Sequence, residues 1–194
     1  MDLDGNVTKE LGGITAIFGG ALAPILYATP NQINLVAPFS LLPGTVRVEL
    51  RRDGALVAAF DRAVSQTHPG LFTVNGLRYG PLAALNQDGS INSASNPAFP
   101  GSVVSLFATG LGAMVPLAID GAIPQAPVNR PATPFSLGLF ITLGGPYSPQ
   151  LDYVGNAPGL VEGAIQINLH LPQSEPPDGI VTVLTANGGT IWVR

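Results

Sequence analysis

Apolar and polar residues alternate over short runs in this chain, and turn residues cut each run off. TVRVEL (45–50) is the clearest case: Val46, Val48 and Leu50 share one face, Arg47 and Glu49 the other. A period of two marks a half-buried strand. ITAIF (14–18), PILYA (24–28), QINLVA (32–37) and ALVAAF (55–60) read as further strands. Between them stand Gly19-Gly20, Thr29-Pro30-Asn31, Pro38 and the hairpin signal Asp53-Gly54. This stretch predicts an antiparallel meander with one buried face. His68-Pro69-Gly70 is a breaker, and the domain boundary is placed there, giving units 1–67 and 68–194. LFTV (71–74), LAALN (82–86) and SVVSLFATG (102–110) follow, the last with the character of a central strand. Residues 119–135 hold four prolines and no periodicity, so a long surface loop is expected over 113–136.

The pattern repeats. ITAIFGG, APILY, QINL and GTVRVEL in residues 13–54 return as LFITLGG, SPQLDY, QINL and GIVTVL in residues 138–189. Both copies carry a Gly pair (Gly19-Gly20, Gly144-Gly145), a following Pro (Pro24, Pro149) and a Tyr (Tyr27, Tyr153). Such self-similarity points to one supersecondary unit used twice. The second copy has SVVSLFATG upstream of its core, and the first has no counterpart. The first unit is therefore expected to lack its leading strand and to leave a sheet edge open near ITAIF. A bare edge invites pairing with another molecule, here a homodimer by strand addition.

Composition narrows the class. Of 194 residues only 10% are charged, while 24 are Gly and 19 are Pro. Surface helices need charged faces, so tight-turned strands fit better. Eight basic residues and a net charge of −4 leave no electrostatic footprint for nucleic acid. The absence of Cys excludes disulfides and thiolate metal sites. The acidic start MDLDGNVTKE is unlike a signal peptide, so an exported origin requires the chain to be a fragment of a longer protein. A hydrophobic window over 12–29 is broken by glycines and Pro24, so no membrane span is read there.

Chemistry-bearing candidates are few. Asn86, Asp88, Ser90 and Asn92 place oxygens at alternate positions around Gly89, echoing a calcium loop with a single carboxylate. The alternative is a hairpin turn with Asx hydrogen bonds, and with it no metal and no cofactor. Gln32 and Asn34, like Gln166, Asn168 and His170, lie on one face of their strands. They read either as amide stripes for a ligand such as a glycan or as ties for the adjoining turns. Asp61, Asp120, Asp152 and Glu162 are the acids considered for a glycosidase pair. Neither His68 nor His170 sits in an HExxH or GxSxG context, and no catalytic residue is assigned. Tyr79, Phe99, Tyr147 and Trp192 are candidates for a sugar-stacking platform, with Phe72, Phe107 and Phe140 assigned to the core.

APILYATPNQINLVAPF, HPGLFTVNG, ALNQDGSINSASNPAFPGSVVSLFATGLG and AIQINLHLP resemble the acidobacterial (Solibacter-type) C-terminal domain of unknown function carried by large secreted proteins. The likeness spans roughly residues 12–190. The repeat core also resembles the IPT/TIG type of immunoglobulin-like fold. The resemblance implies an exported, non-catalytic module attached to other domains, with a further PGS-type strand before the LGG segment. The expected fold is all-β, two tandem immunoglobulin-like sandwiches with the first incomplete. The expected function is a non-enzymatic extracellular module for adhesion, assembly or presentation, secreted or at the cell surface. The alternatives are a carbohydrate-binding module and a carboxylate-dependent glycoside hydrolase.

Overall fold

The computed structural model describes residues 1–141, 145–174, 176, 178–184 and 188–194. Gly144 and Asn187 of the second repeat lie outside the described residues. The protein is all-β, built from antiparallel sheets in a sandwich-like arrangement, with no helix among the described residues. None therefore is long and apolar enough to cross a membrane.

The chain divides into two units, one of Met1–Thr67, Gly112–Asn129 and Asn156–Gly163, the other of His68–Leu111, Arg130–Gly155 and Ala164–Arg194. The first unit holds β1 (Ile14–Phe18), β2 (Ala21–Leu22), β3 (Ile25–Thr29), β4 (Gln32–Leu35), β5 (Gly44–Arg52) and β6 (Ala55–Val64). In the second, β7 (Gly70–Leu71), β8 (Ala84–Leu85) and β9 (Val103–Thr109) come first. After β10 (Met114–Val115) of the first unit come β11 (Arg130–Pro131), β12 (Gly138–Ile141), β13 (Gly145–Tyr147) and β14 (Leu151–Asn156). The chain closes with β15 (Ile165–His170), β16 (Ile180–Leu184) and β17 (Gly189–Trp192).

The repeat in sequence is a repeat in topology. The first unit has a four-stranded sheet in the order β2-β1-β5-β6, the second one in the order β13-β12-β16-β17. Each begins with a short hairpin, followed by the returning strand and a second hairpin. In the first unit these turns are Gly19-Gly20 and Asp53-Gly54, and all four residues take positive φ (55°, 96°, 50° and 80°). That conformation is what a two-residue hairpin loop needs to match strand twist. The other strands also correspond: β3 pairs β4, and β14 pairs β15. There the likeness ends. β15 continues into β9, which pairs β7 and β8, whereas β3 and β4 form a two-stranded sheet by themselves.

This layout changes two expectations. The first unit is not a simple meander, because the β3–β4 hairpin leaves the sheet and β5 returns beside β1. Nor is Ile14–Phe18 an open edge, since β1 lies between β2 and β5. Among the described strands of the first unit, β4 has β3 as its one neighbour, where the equivalent β15 has two.

The cores differ accordingly. In the second unit Val104, Leu106 and Ala108 of β9 and Ile165, Ile167 and Leu169 of β15 are buried. So are Leu139 and Ile141 of β12, Val181 and Val183 of β16, and Ile191 of β17. These alternating positions put one face of each sheet into the core. The first unit buries mainly Ala16, Ala23, Ile25, Val48, Met114 and Ala157. Its loop 112–129 is not wholly at the surface: Met114 and Asn129 are buried.

Candidate functional site

The two QIN triplets build the same small device. Gln32 Nε2 donates to Asn34 Oδ1 at 2.7 Å. Gln166 Nε2 donates to Asn168 Oδ1 at 2.9 Å. The amides therefore bond each other along the strand rather than tying down the turns. In the second unit Ser105 Oγ of β9 also donates to Asn168 Oδ1, at 2.9 Å. His170 Nε2 lies 2.7 Å from Asp152 Oδ2, and Gln150 Nε2 donates to Asp152 Oδ1 at 2.8 Å. Gln166, Asn168 and His170 thus share the outer face of β15 with Ser105 and Phe107 of β9. Gln32 and Asn34 are exposed in the other unit. The structure gathers Gln166, Asn168 and His170 on one strip within the second unit; Gln32 and Asn34 belong to the first.

The Asn86–Asn92 side chains are joined in one hydrogen-bond network. Asn86 Oδ1 accepts from Asn92 Nδ2 at 2.9 Å, and Asn92 Oδ1 accepts from the Trp192 backbone N–H at 2.9 Å. Ser90 donates to Asp88 Oδ1 twice, from its hydroxyl at 2.6 Å and its backbone N–H at 3.0 Å. These bonds from Ser90 hold the exposed Asp88 carboxyl below the ordinary Asp range. Gly89 has φ 81° at the turn. Among the described residues no cluster of three or more His, Asp or Glu could hold a metal ion. The loop has another task. Asn92 also donates to the Trp192 carbonyl at 2.8 Å, so its side chain satisfies both backbone groups of Trp192. Leu82 and Ala98 add backbone bonds to Thr190 and Trp192. The outer edge of β17 is thereby closed. Beside this loop lies a groove of about 620 Å³, lined by Asp88, Asn96, Phe99 and Arg194 among others. The Arg194 guanidinium carbon stands 3.6 Å from the centre of the Phe99 ring.

The four aromatic candidates do not form one row. Tyr147 faces Leu139, on the core side at one sheet margin, while Trp192 faces Ile180 at the opposite margin and on the other side. Phe140 and Phe72, assigned to the core from sequence, are 43% and 41% exposed; Phe107 is half-buried. Phe140 points outward because its neighbours Leu139 and Ile141 take the inward positions. With Thr182, Thr190, Ile180, Leu184 and Trp192 it makes a neutral outer sheet face. The equivalent face of the first unit is charged, with Arg47–Asp61 at 3.1 Å and Arg51–Glu49 at 2.8 Å. The apolar face is hard to see in sequence because the continuous run LFI hides its alternation.

The acids are engaged separately. Asp61 pairs with Arg47, and Asp152 with His170. Asp120 accepts from the Phe39 backbone N–H at 2.9 Å. Glu162 is 3% exposed, and its Oε1 accepts from Asn129 Nδ2 at 2.7 Å. Burial pushes its carboxyl above the ordinary Glu range, against the pull of the Asn129 bond. Glu162 Oε2 and Asn129 Oδ1 are buried without a partner. Asn156 stands beside them, accepting from the Val128 and Asn129 backbone N–H groups. Nothing in the spacing of Asn129 and Asn156 sets them apart in the sequence.

No protein-family model matches the chain, and a search of curated proteins returns no match.

Proposed function

We propose that the protein is a non-enzymatic extracellular module for adhesion, assembly or presentation, built of two tandem immunoglobulin-like (IPT/TIG-like) units at the C-terminal end of a larger secreted protein. The observation that carries this reading is the outer face of the β13-β12-β16-β17 sheet. It exposes Phe140 and Leu184 beside Thr182 and Thr190 on a sheet whose other face buries Leu139, Val181, Val183 and Ile191. A flat, neutral surface on a rigid scaffold suits docking. The motifs shared with the acidobacterial secreted-protein domain support export. A second reading, a carbohydrate-binding module, is favoured by the exposed Phe140 sharing that face with the half-buried Trp192, because accessible rings stack on sugars.

Depletion of the protein from solution by fixed bacterial cells, and separately by insoluble chitin, cellulose or peptidoglycan, tests both. Binding to cells alone supports the first reading, and binding to a polysaccharide the second. In either case Phe140→Ser is expected to weaken binding at least about fivefold, the loss of one anchoring ring. Release of soluble sugar, or equal depletion of the variant and the parent, contradicts the assignment.

A further inference from the structure

A buried acceptor without a donor is costly, because it has given up hydration for nothing. The first unit has two such oxygens on neighbouring side chains. Glu162 Oε2 and Asn129 Oδ1 have no partner, although their residues are 3% and 6% exposed. The same two side chains already meet once, Asn129 Nδ2 donating to Glu162 Oε1 at 2.7 Å. Both residues line a cavity of about 420 Å³.

Backbone and amide bonds fix the walls of this cavity. The Glu162 N–H donates to the Ala122 carbonyl at 2.8 Å, and the Gly159 N–H to the Pro124 carbonyl at 2.7 Å. Asn156 Oδ1 accepts from the Val128 and Asn129 N–H groups, and its Nδ2 donates to the Ala126 carbonyl at 3.0 Å. At the rim Leu117, Ile119 and Val128 are each more than half exposed. Asp4 adds an exposed carboxylate. Among the described residues no Lys, Arg or His lines the cavity.

We propose that this cavity binds a primary ammonium group on a short alkyl stem, the chemistry shared by a lysine side chain and a free diamine. A carboxylate oxygen and an amide carbonyl oxygen can only accept, and an ammonium brings three donors. The Glu162 carboxylate at the base and Asp4 at the rim favour a cation, and the apolar rim covers its methylenes. A neutral alkyl chain leaves both oxygens unsatisfied, and a quaternary ammonium has no N–H to give. A calcium ion is the poorer match, since it takes roughly six to eight oxygen ligands. The cavity belongs to the first unit, so the inference does not depend on the role given to the outer sheet face of the second.

The test titrates the full chain with cadaverine and with Nα-acetyl-lysine methylamide, read by calorimetry and by the amide resonances of Asn129 and Glu162. Saturable binding that moves those resonances is expected, and the tighter of the two amines tells a free diamine from a lysine side chain. Pentanol lacks the charge and tetramethylammonium lacks the N–H groups. Each is expected to bind at least about tenfold more weakly, the loss of one charge-assisted hydrogen bond. Glu162→Gln keeps the side-chain shape and removes the charge. Its circular dichroism should match the parent, and its amine affinity should fall at least about tenfold. Asp4→Asn, at the exposed rim, is expected to weaken binding only about twofold to threefold. Absence of saturable binding overturns the proposal. So does equal binding of pentanol, an unchanged amine affinity in Glu162→Gln, or calcium that binds and displaces the amine.

Discussion

The second unit closes what the first leaves open. Both fold the same repeat into the same four-strand order. In the second, β9 covers β15, and the 80–98 segment covers the outer edge of β17. In the first, β4 has one neighbour and the outer edge of β6 carries charge instead of a cover. The price shows in the packing: Ile167 and Leu169 are fully buried, whereas the equivalent Ile33 and Leu35 are half-buried. The comparison teaches that a strand's sequence sets its alternation, while its burial is set by whichever neighbours the topology supplies.

The sharpest way to break this comparison is to truncate the equivalent isoleucines. Ile167→Ala is expected to cost about 2–5 kcal/mol, the range for a fully buried side chain, and Ile33→Ala about half as much. Urea unfolding followed by circular dichroism reads both, and Trp192 fluorescence reports on the second unit. Equal losses at the two positions would mean that β4 is as well covered as β15.

Asn92 sharpens the same contrast from the edge. Asn92→Ala leaves the Trp192 N–H and C=O without their side-chain partner and is expected to cost about 1–3 kcal/mol. The loss should appear in Trp192 fluorescence and in faster exchange of the β17 amides. A neutral outcome would show that Leu82 and Ala98 close the edge by themselves.

The smallest effect is expected at Glu162, and it is a gain. Gln at this position can accept from Asn129 Nδ2 and donate to Asn129 Oδ1, giving both buried oxygens' sites a use. Glu162→Gln is expected to stabilise the first unit by about 1 kcal/mol at neutral pH. The folded carboxyl titrates above its unfolded value, so its stabilising proton is fully in place below the ordinary Glu range. That contribution is lost as pH rises through the raised folded value. The advantage of the glutamine variant should therefore grow with pH over that window. Parallel pH–stability curves for the two proteins would remove Glu162 from the account.

The strands and turns were legible because period-two alternation and turn residues are local signals. TVRVEL, ITAIF and SVVSLFATG lie where strands form, and Asp53-Gly54 makes its hairpin. The repeat shows that the two units differ, but not where: β15 pairs β9, while β3 and β4 pair each other. Sequence order suggested the edge nearest the chain start, whereas the β3–β4 hairpin leaves the sheet and carries the gap with it. Phe140 was assigned inward because aromatic residues are usually core, and the apolar residues on both sides of it concealed the alternation. The Asn86–Asn92 segment reads in sequence either as a calcium loop or as an Asx turn, and Ser90 bonds Asp88 within it. Asn92 alone reaches the other end of the chain, and its partner Trp192 is invisible to a local motif.

Hydrogen exchange at the two QINL segments tests the central claim most directly. Amides without a second strand open with little free energy, while those inside a packed sheet exchange through larger openings. The account predicts that residues 32–35 exchange at least about a hundredfold faster than residues 166–169, a difference in opening free energy of about 2.7 kcal/mol. Equal protection of the two segments would mean that β4 is covered in solution, and the reading of the first unit as the second with a strand removed would fall.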